Sequence, residues 1–213
     1  MKTDDLVAAL AAGVEPVPQG LVSRRLGQAL LLALPVSVAI MVLGYGVRPD
    51  LREAMVLPMF WVKLLFPLAV GLAGLVAVHR LARPGVDLGG GAVAAVVPVL
   101  LLWGLSALVW WGAAPEERSA MLWGQTWQSC VFSIALMAGP LLLAVLWVLK
   151  GMAPTRPAWA GAAAGALAGG GGAAVYALHC PELAAPFLAV WYVAGIALVT
   201  AVGALAGARC LRW

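Results

Sequence analysis

Cys130-Val-Phe-Ser-Ile-Ala-Leu-Met-Ala-Gly-Pro-Leu-Leu-Leu-Ala-Val-Leu-Trp-Val-Leu149 runs for twenty residues without a charged side chain. As a helix rising about 1.5 Å per residue it measures about 30 Å, the thickness of a bilayer's hydrocarbon core. Hydrocarbon offers no water to backbone N–H and C=O groups, so such a stretch persists there only if it bonds to itself as a helix. Five more stretches read the same way: Leu26–Gly44, Pro58–Val78, Ala92–Trp111, Ala158–Leu178 and Leu188–Ala208. The predicted fold is therefore all-α: a six-helix polytopic transmembrane bundle over residues 26–213, preceded by a soluble segment, residues 1–25. Composition agrees. The chain is 64% hydrophobic and 10% charged, where a soluble domain is about half apolar and a quarter charged. That excludes an ordinary water-soluble enzyme, a disordered chain and a secreted disulfide scaffold.

The breaks between the stretches hold nearly all the charge, and basic residues mark the cytoplasmic side of membrane proteins. With the N-terminus inside, the inner segments hold Lys2, Arg24, Arg25, Arg80, Arg83, Lys150, Arg156, Arg209 and Arg212. The outer loops then hold only Arg48, Arg52 and Arg118, and Lys63 falls within a span, which accounts for all 13 basic residues. Both N- and C-termini are thus expected to be cytoplasmic. The tryptophans at 110, 111, 123 and 127 gather near one outer joint, at the depth where amphipathic rings settle. In the fifth stretch Gly161, Gly165 and Gly169 follow four-residue spacing and run into Gly170–Gly172. Gly203 and Gly207 repeat the spacing in the last. Glycines so placed let a neighbouring backbone approach closely, within one chain or in a homodimer. The Gly169–Gly172 run should also soften its helix.

The spans carry one charge, Lys63, about 8 Å from the outer end of its helix at the usual rise per residue. It either snorkels to the interface or acts as counter-charge to a thiolate or carboxylate there. A transporter is poorly supported by so little buried charge. No phosphate loop, HExxH or nucleophile elbow marks an enzyme, and no direct nucleic-acid contact is expected. Cys130 begins the fourth stretch and Cys180 ends the fifth, so both sulfurs are expected at the outer surface, with His179 and Glu182 beside Cys180. Such a pair is either inert packing or a redox or soft-metal responsive site. No resident cofactor is expected beyond a metal ion transiently held by this pair. Cys210 emerges at the inner face and receives no role.

The N-terminal segment begins with a predicted short helix, Thr3-Asp-Asp-Leu-Val-Ala-Ala-Leu10. Thr3 is placed to cap it, and Asp4 and Asp5 favour the positive end of its dipole. Gly13 should stop it, and Pro16 and Pro18 should prevent continuation. Leu6, Val7 and Leu10 share one side. So short a helix is marginal alone, and its aspartates suit a protein partner with a basic rim better than anionic lipid.

These elements together resemble the NrsF-type family of inner-membrane anti-sigma factors. The resemblance rests on Met1-Lys-Thr-Asp-Asp-Leu6, the stretch from Phe60 to Leu65, Thr126-Trp-Gln-Ser-Cys130, Tyr176-Ala-Leu-His-Cys-Pro-Glu-Leu183 and Ala185-Pro-Phe-Leu-Ala-Val-Trp-Tyr192. It implies a multi-pass protein of the bacterial inner membrane that is not an enzyme. Such a protein would sequester an extracytoplasmic-function sigma factor through Thr3, Asp4, Asp5, Leu6, Val7 and Leu10. Oxidative or heavy-metal stress sensed by Cys130 and Cys180 would release it, with Lys63, His179 and Glu182 as neighbours of the sensor. The alternative is a membrane thiol oxidoreductase passing electrons from outer thiols to quinone. Such enzymes generally use two exchanging cysteine pairs.

Overall fold

The computed structural model describes residues 2–12, 18 and 20–212, and all regular structure among them is helical. The stop expected at Gly13 and the break expected at Pro16 lie outside the described residues. Helix α1 spans Thr3–Ala11, and α2 spans Leu21–Ile40 and continues through a π turn, Met41–Tyr45. After the short α3 (Leu51–Ala54) come α4 (Pro58–Leu81) and α5 (Gly91–Gly112). The charged joint that follows is itself a helix, α6 (Pro115–Trp123). It precedes α7 (Trp127–Lys150) and α8 (Pro157–Tyr176). The chain closes with the single turn α9 (Ala185–Phe187), a π segment, Leu188–Tyr192, and α10 (Val193–Cys210). Pro58, Pro115 and Pro157 each open a helix, where the missing N–H of proline leaves no bond unmade.

Five of these long helices, not six, are apolar and long enough to cross a membrane among the described residues: Leu21–Tyr45, Pro58–Leu81, Val93–Gly112, Pro115–Lys150 and Ala185–Cys210. The exception is α8. Three quarters of its residues are alanine or glycine, which carry too little apolar surface to favour lipid contact. It lies instead at the centre of the bundle, packed against α10, α4 and α7, with Ala160, Ala164, Ala168 and Ala173 fully buried. Helix α2 packs on α7, and α5 on α4.

Glycine makes that centre. A Cβ added to Gly161 would strike the Gly203 carbonyl, and one at Gly165 would lie 2.5 Å from the Val199 carbonyl. On the next side of α8, a Cβ at Gly170 would run into the Pro67 carbonyl and come 2.6 Å from the Gly71 nitrogen of α4. A Cβ at Gly172 would stand 2.7 Å from the Ala138 nitrogen of α7. The glycine spacing therefore serves contacts within the chain. The run Gly169–Gly172 does not break the helix, because packed neighbours hold it where a solvated glycine run would fray.

The bundle has two distinct ends. At one, Ser23 and His79 share a hydrogen bond of 2.9 Å, Asp87 pairs with Arg156 at 2.8 Å, and Leu26, Leu81, Leu149 and Leu211 form one apolar cluster. Arg24, Arg25, Arg80, Arg83, Lys150, Arg209 and Arg212 belong to this basic end by their helix positions. At the other, Met41, Phe66, Cys130, Tyr176, Cys180 and Tyr192 form the second cluster. Trp123, Trp127 and Trp191 stack beside it, with ring centroids 4.9–5.6 Å apart, and the Trp191 indole N–H donates to the Leu122 carbonyl at 2.9 Å.

Gly203→Ala should lower the melting temperature of the detergent-solubilised chain, as overpacking against the Gly161 carbonyl costs about 1–3 kcal/mol. Gly104 has open space where its Cβ would stand. Gly104→Ala should therefore leave melting unchanged or raise it.

Candidate functional site

The end opposite the basic one is organised by the loop that leaves α8, residues 177–184. It makes no regular structure, so its carbonyls need donors from elsewhere. Lys63, in the first half of α4, supplies them. Its ammonium donates to the Cys180 carbonyl at 2.5 Å and to the Glu182 carbonyl at 2.8 Å. The side chain is 0% exposed and stands 5.6 Å from the centre of the Tyr192 ring. It therefore neither snorkels to water nor pairs with a side-chain anion. Two backbone carbonyls and an aromatic face solvate the charge in place.

The loop between α2 and α3 grips the same segment from a second side. The Arg48 amide donates to the Leu178 carbonyl at 3.1 Å, and its guanidinium donates to the Cys180 carbonyl at 3.2 Å. Asp50 fixes that guanidinium with two bonds, at 2.8 and 2.6 Å. The Arg48 guanidinium in turn holds the Asp50 carboxyl below the usual carboxylate range, chiefly through these hydrogen bonds. His179 is turned to the Gly46 carbonyl, 2.9 Å from its Nδ1, and its ring lies against Tyr45 and Tyr176. The Glu182 carboxylate accepts the Gln125 N–H at 2.6 Å and sits over Gly124, whose φ of +52° and missing Cβ admit it.

Inside this cage are the two thiols. Cys130 and Cys180 are free, each 0% exposed, and members of one cluster. Thr126 touches both. Its carbonyl accepts the Cys130 N–H at 3.0 Å, and its hydroxyl lies 3.9 Å from the Cys180 sulfur. The sulfurs thus flank the first turn of α7. Because His179 and Glu182 have other partners, no three His, Cys, Asp or Glu side chains come together to hold a metal ion among the described residues. Cys210 is exposed, at the end of α10.

Sequence reasoning passed over Arg48, Thr126 and Tyr192. Arg48 counted only as a loop charge, and nothing local in the sequence announces that it reaches a carbonyl 132 residues away. Tyr192 is wholly buried, and its hydroxyl has no hydrogen-bond partner among the described residues.

The N-terminal helix is a separate feature. Every described residue of α1 is exposed, with Leu6, Val7 and Leu10 at 42, 60 and 68%. Thr3 is the first helical residue and not the cap. Lys2 takes that position, and its backbone N–H donates to the Asp5 carboxylate at 3.2 Å. Asp5 therefore satisfies one of the bonds that the helix start leaves open.

Fold and site together describe an all-helical bundle of membrane-protein composition that carries a caged thiol pair and an exposed helix with an acidic first turn. The chain belongs to the NrsF family, described as negative regulator of sigma F, which matches residues 10–213. It is 44% identical to the probable anti-sigma-F factor NrsF of Azospira oryzae and 42% identical to the anti-sigma-F factor NrsF of Caulobacter vibrioides, with both chains covered in full in each case. These relatives are regulatory proteins, not enzymes. No solved structure matches the chain.

Lys63→Met would leave the Glu182 carbonyl without its donor and the Cys180 carbonyl with Arg48 alone. A buried acceptor so stranded costs about 1–3 kcal/mol, which should loosen the loop. Mass spectrometry after maleimide treatment of the native chain in detergent should show one label on wild type, at Cys210, and a further label at Cys180 in the variant.

Proposed function

We propose that the chain is a membrane-embedded anti-sigma factor that holds a sigma factor of the extracytoplasmic-function class at its basic end. The observation that carries this reading is α1, a helix with an acidic first turn and an apolar side that none of the described residues covers. Nine residues of helix are too few to be stable alone in water, so a bound partner is what completes it. A sigma factor has a reason to meet it there, because α1 precedes the start of α2 at the basic end. Basic ends of membrane bundles face the cytoplasm, where both chain termini then lie in the bacterial inner membrane. In this scheme α8 crosses with the five apolar helices, shielded by them from lipid.

The thiol cage then faces the periplasm, an oxidising compartment. Joining Cys130 to Cys180 transfers two electrons and two protons to an oxidant such as a peroxide. A soft heavy-metal ion bridging the two sulfurs, with loss of their protons, would be the other stimulus. Either event moves Cys180, whose carbonyl Lys63 and Arg48 hold, so the cage must open or shift. A hundredfold weakening of sigma binding corresponds to about 2.7 kcal/mol between the two states. Electron transfer to quinone is disfavoured: the relatives are regulators, and Cys210 lies at the wrong end to serve as an exchanging partner.

Replacing Asp4, Asp5, Leu6 and Leu10 together by alanine should abolish co-purification of the sigma factor in the absence of stress. Undiminished pull-down would refute the contact. Cys130→Ser combined with Cys180→Ser should keep binding but blunt release by peroxide or cadmium.

A further inference from the structure

Between α2 and α7 runs a groove of about 1180 Å³, larger than two others on the bundle's flanks. Its walls are apolar over most of their length, with Leu31, Leu32, Val36, Pro140, Ala144 and Trp147 among them. Its mouth at the basic end is not: Arg25, Gln28 and Lys150 line it. A guanidinium nitrogen of Arg25 comes within 3.3 Å of where a Cβ on Gly151 would stand, so this cation sits beside the residue that follows Lys150. Neither Arg25 nor Lys150 pairs with a carboxylate among the described residues.

The other two grooves differ in this respect. One, lined by Trp103, Trp110 and Val193, has no charged residue in its wall. The other contains Arg80, whose guanidinium already donates to the Asp87 carbonyl at 3.1 Å.

Length identifies the occupant. From Arg25 to Val36 on α2 is eleven residues, and from Lys150 back to Pro140 on α7 is ten. At about 1.5 Å per residue these are about 16 and 15 Å. Half of a hydrocarbon core about 30 Å thick is about 15 Å. A slot that starts at two cations with no carboxylate partner among the described residues and ends one leaflet deeper fits a lipid with an anionic head and an extended acyl chain. Basic pockets between helices on the cytoplasmic side recognise acidic headgroups in this way.

We infer that the groove between α2 and α7 binds one anionic phospholipid, its phosphate between Arg25 and Lys150 and an acyl chain along Leu32, Val36 and Trp147. The inference rests on the reading that these helices cross the inner membrane. It adds a lipid ligand at the end where α1 is proposed to work.

The full-length chain in nanodiscs of equal dioleoylphosphatidylglycerol and dioleoylphosphatidylcholine, released into native mass spectrometry, tests it. Wild type should retain one phosphatidylglycerol per chain, with a preference of about tenfold over phosphatidylcholine, or about 1.4 kcal/mol. Arg25→Gln with Lys150→Gln should erase the preference. Arg209→Gln with Arg212→Gln, which removes two cations from the same end but outside the groove, should keep it. Ala144→Phe, which fills the slot and leaves both cations, should also lose the lipid. Equal loss in the two glutamine pairs would reduce the effect to surface charge and overturn the site, as would absence of any preference in wild type. A lipid-free dimer that Ala144→Phe converts to monomer would assign the groove to a second copy and overturn it too. Alkaline carbonate extraction of wild type from cell membranes separates the two readings. A chain released by carbonate sinks the membrane placement itself, whereas an embedded chain without lipid preference sinks the groove alone.

Discussion

A lysine ammonium with no access to water is the constraint on which the rest of this structure depends. Lys63 has exchanged its hydration for two backbone carbonyls and the face of Tyr192. Removing a charge from water is costly unless every donor finds an acceptor. The 177–184 loop must therefore present its carbonyls to α4 whenever Lys63 is charged. That requirement fixes where α8 ends, and it seats Cys180 against Thr126 at the head of α7. The second grip, from Arg48 and Asp50, ties the same loop to the turn after α2. Lys63 of α4 and Arg48 of the loop after α2 thus converge on one carbonyl, that of Cys180, and the thiol of that residue is sealed from solvent.

The opposite end is reached through α8. Its glycines bring backbone to backbone against α10, α4 and α7, which leaves it little freedom to bend. In the proposed scheme a change at Cys180 is thus delivered as a shift of a rod, since the Gly169–Gly172 run is locked on three sides. The rod begins where Pro157 meets Gly207 and Asp87 meets Arg156, at the end from which α1 extends. Close packing of this kind is bistable and not continuously deformable, the property a switch between two packings requires.

Much of this was legible in the sequence, for identifiable reasons. Apolar stretches near twenty residues, separated by proline and charge, located the long helices to within a few residues at most ends. The four-residue glycine spacing marked α8 and α10 as helices that admit a neighbouring backbone, and the structure makes them each other's neighbour. The failures are equally physical. Reading Ala158–Leu178 as apolar enough to span on its own treated alanine and glycine as if they were leucine, when their small surface suits a helix buried among other helices. Snorkelling was the natural reading of a lone lysine near a helix end, because the acceptors that bury it come from a loop more than a hundred residues on. Thr3 looked like a cap by residue type, yet the chain enters α1 one residue earlier. No spacing rule reveals that His179 and Glu182 turn away from the sulfurs to a glycine carbonyl and a backbone N–H. Pairings of that sort are decided by tertiary structure.

Sidedness ties the two halves of the account together, and accessible cysteines measure it directly. In a chain with serine at 130, 180 and 210, single cysteines are placed at Lys2, just before α1, and at Glu116, on α6 at the end of the thiol cage. Spheroplasts are then treated with a membrane-impermeant maleimide. Labelling at 116 in intact spheroplasts, with labelling at 2 only after permeabilisation, is the predicted result. Labelling of both positions before permeabilisation would contradict the account.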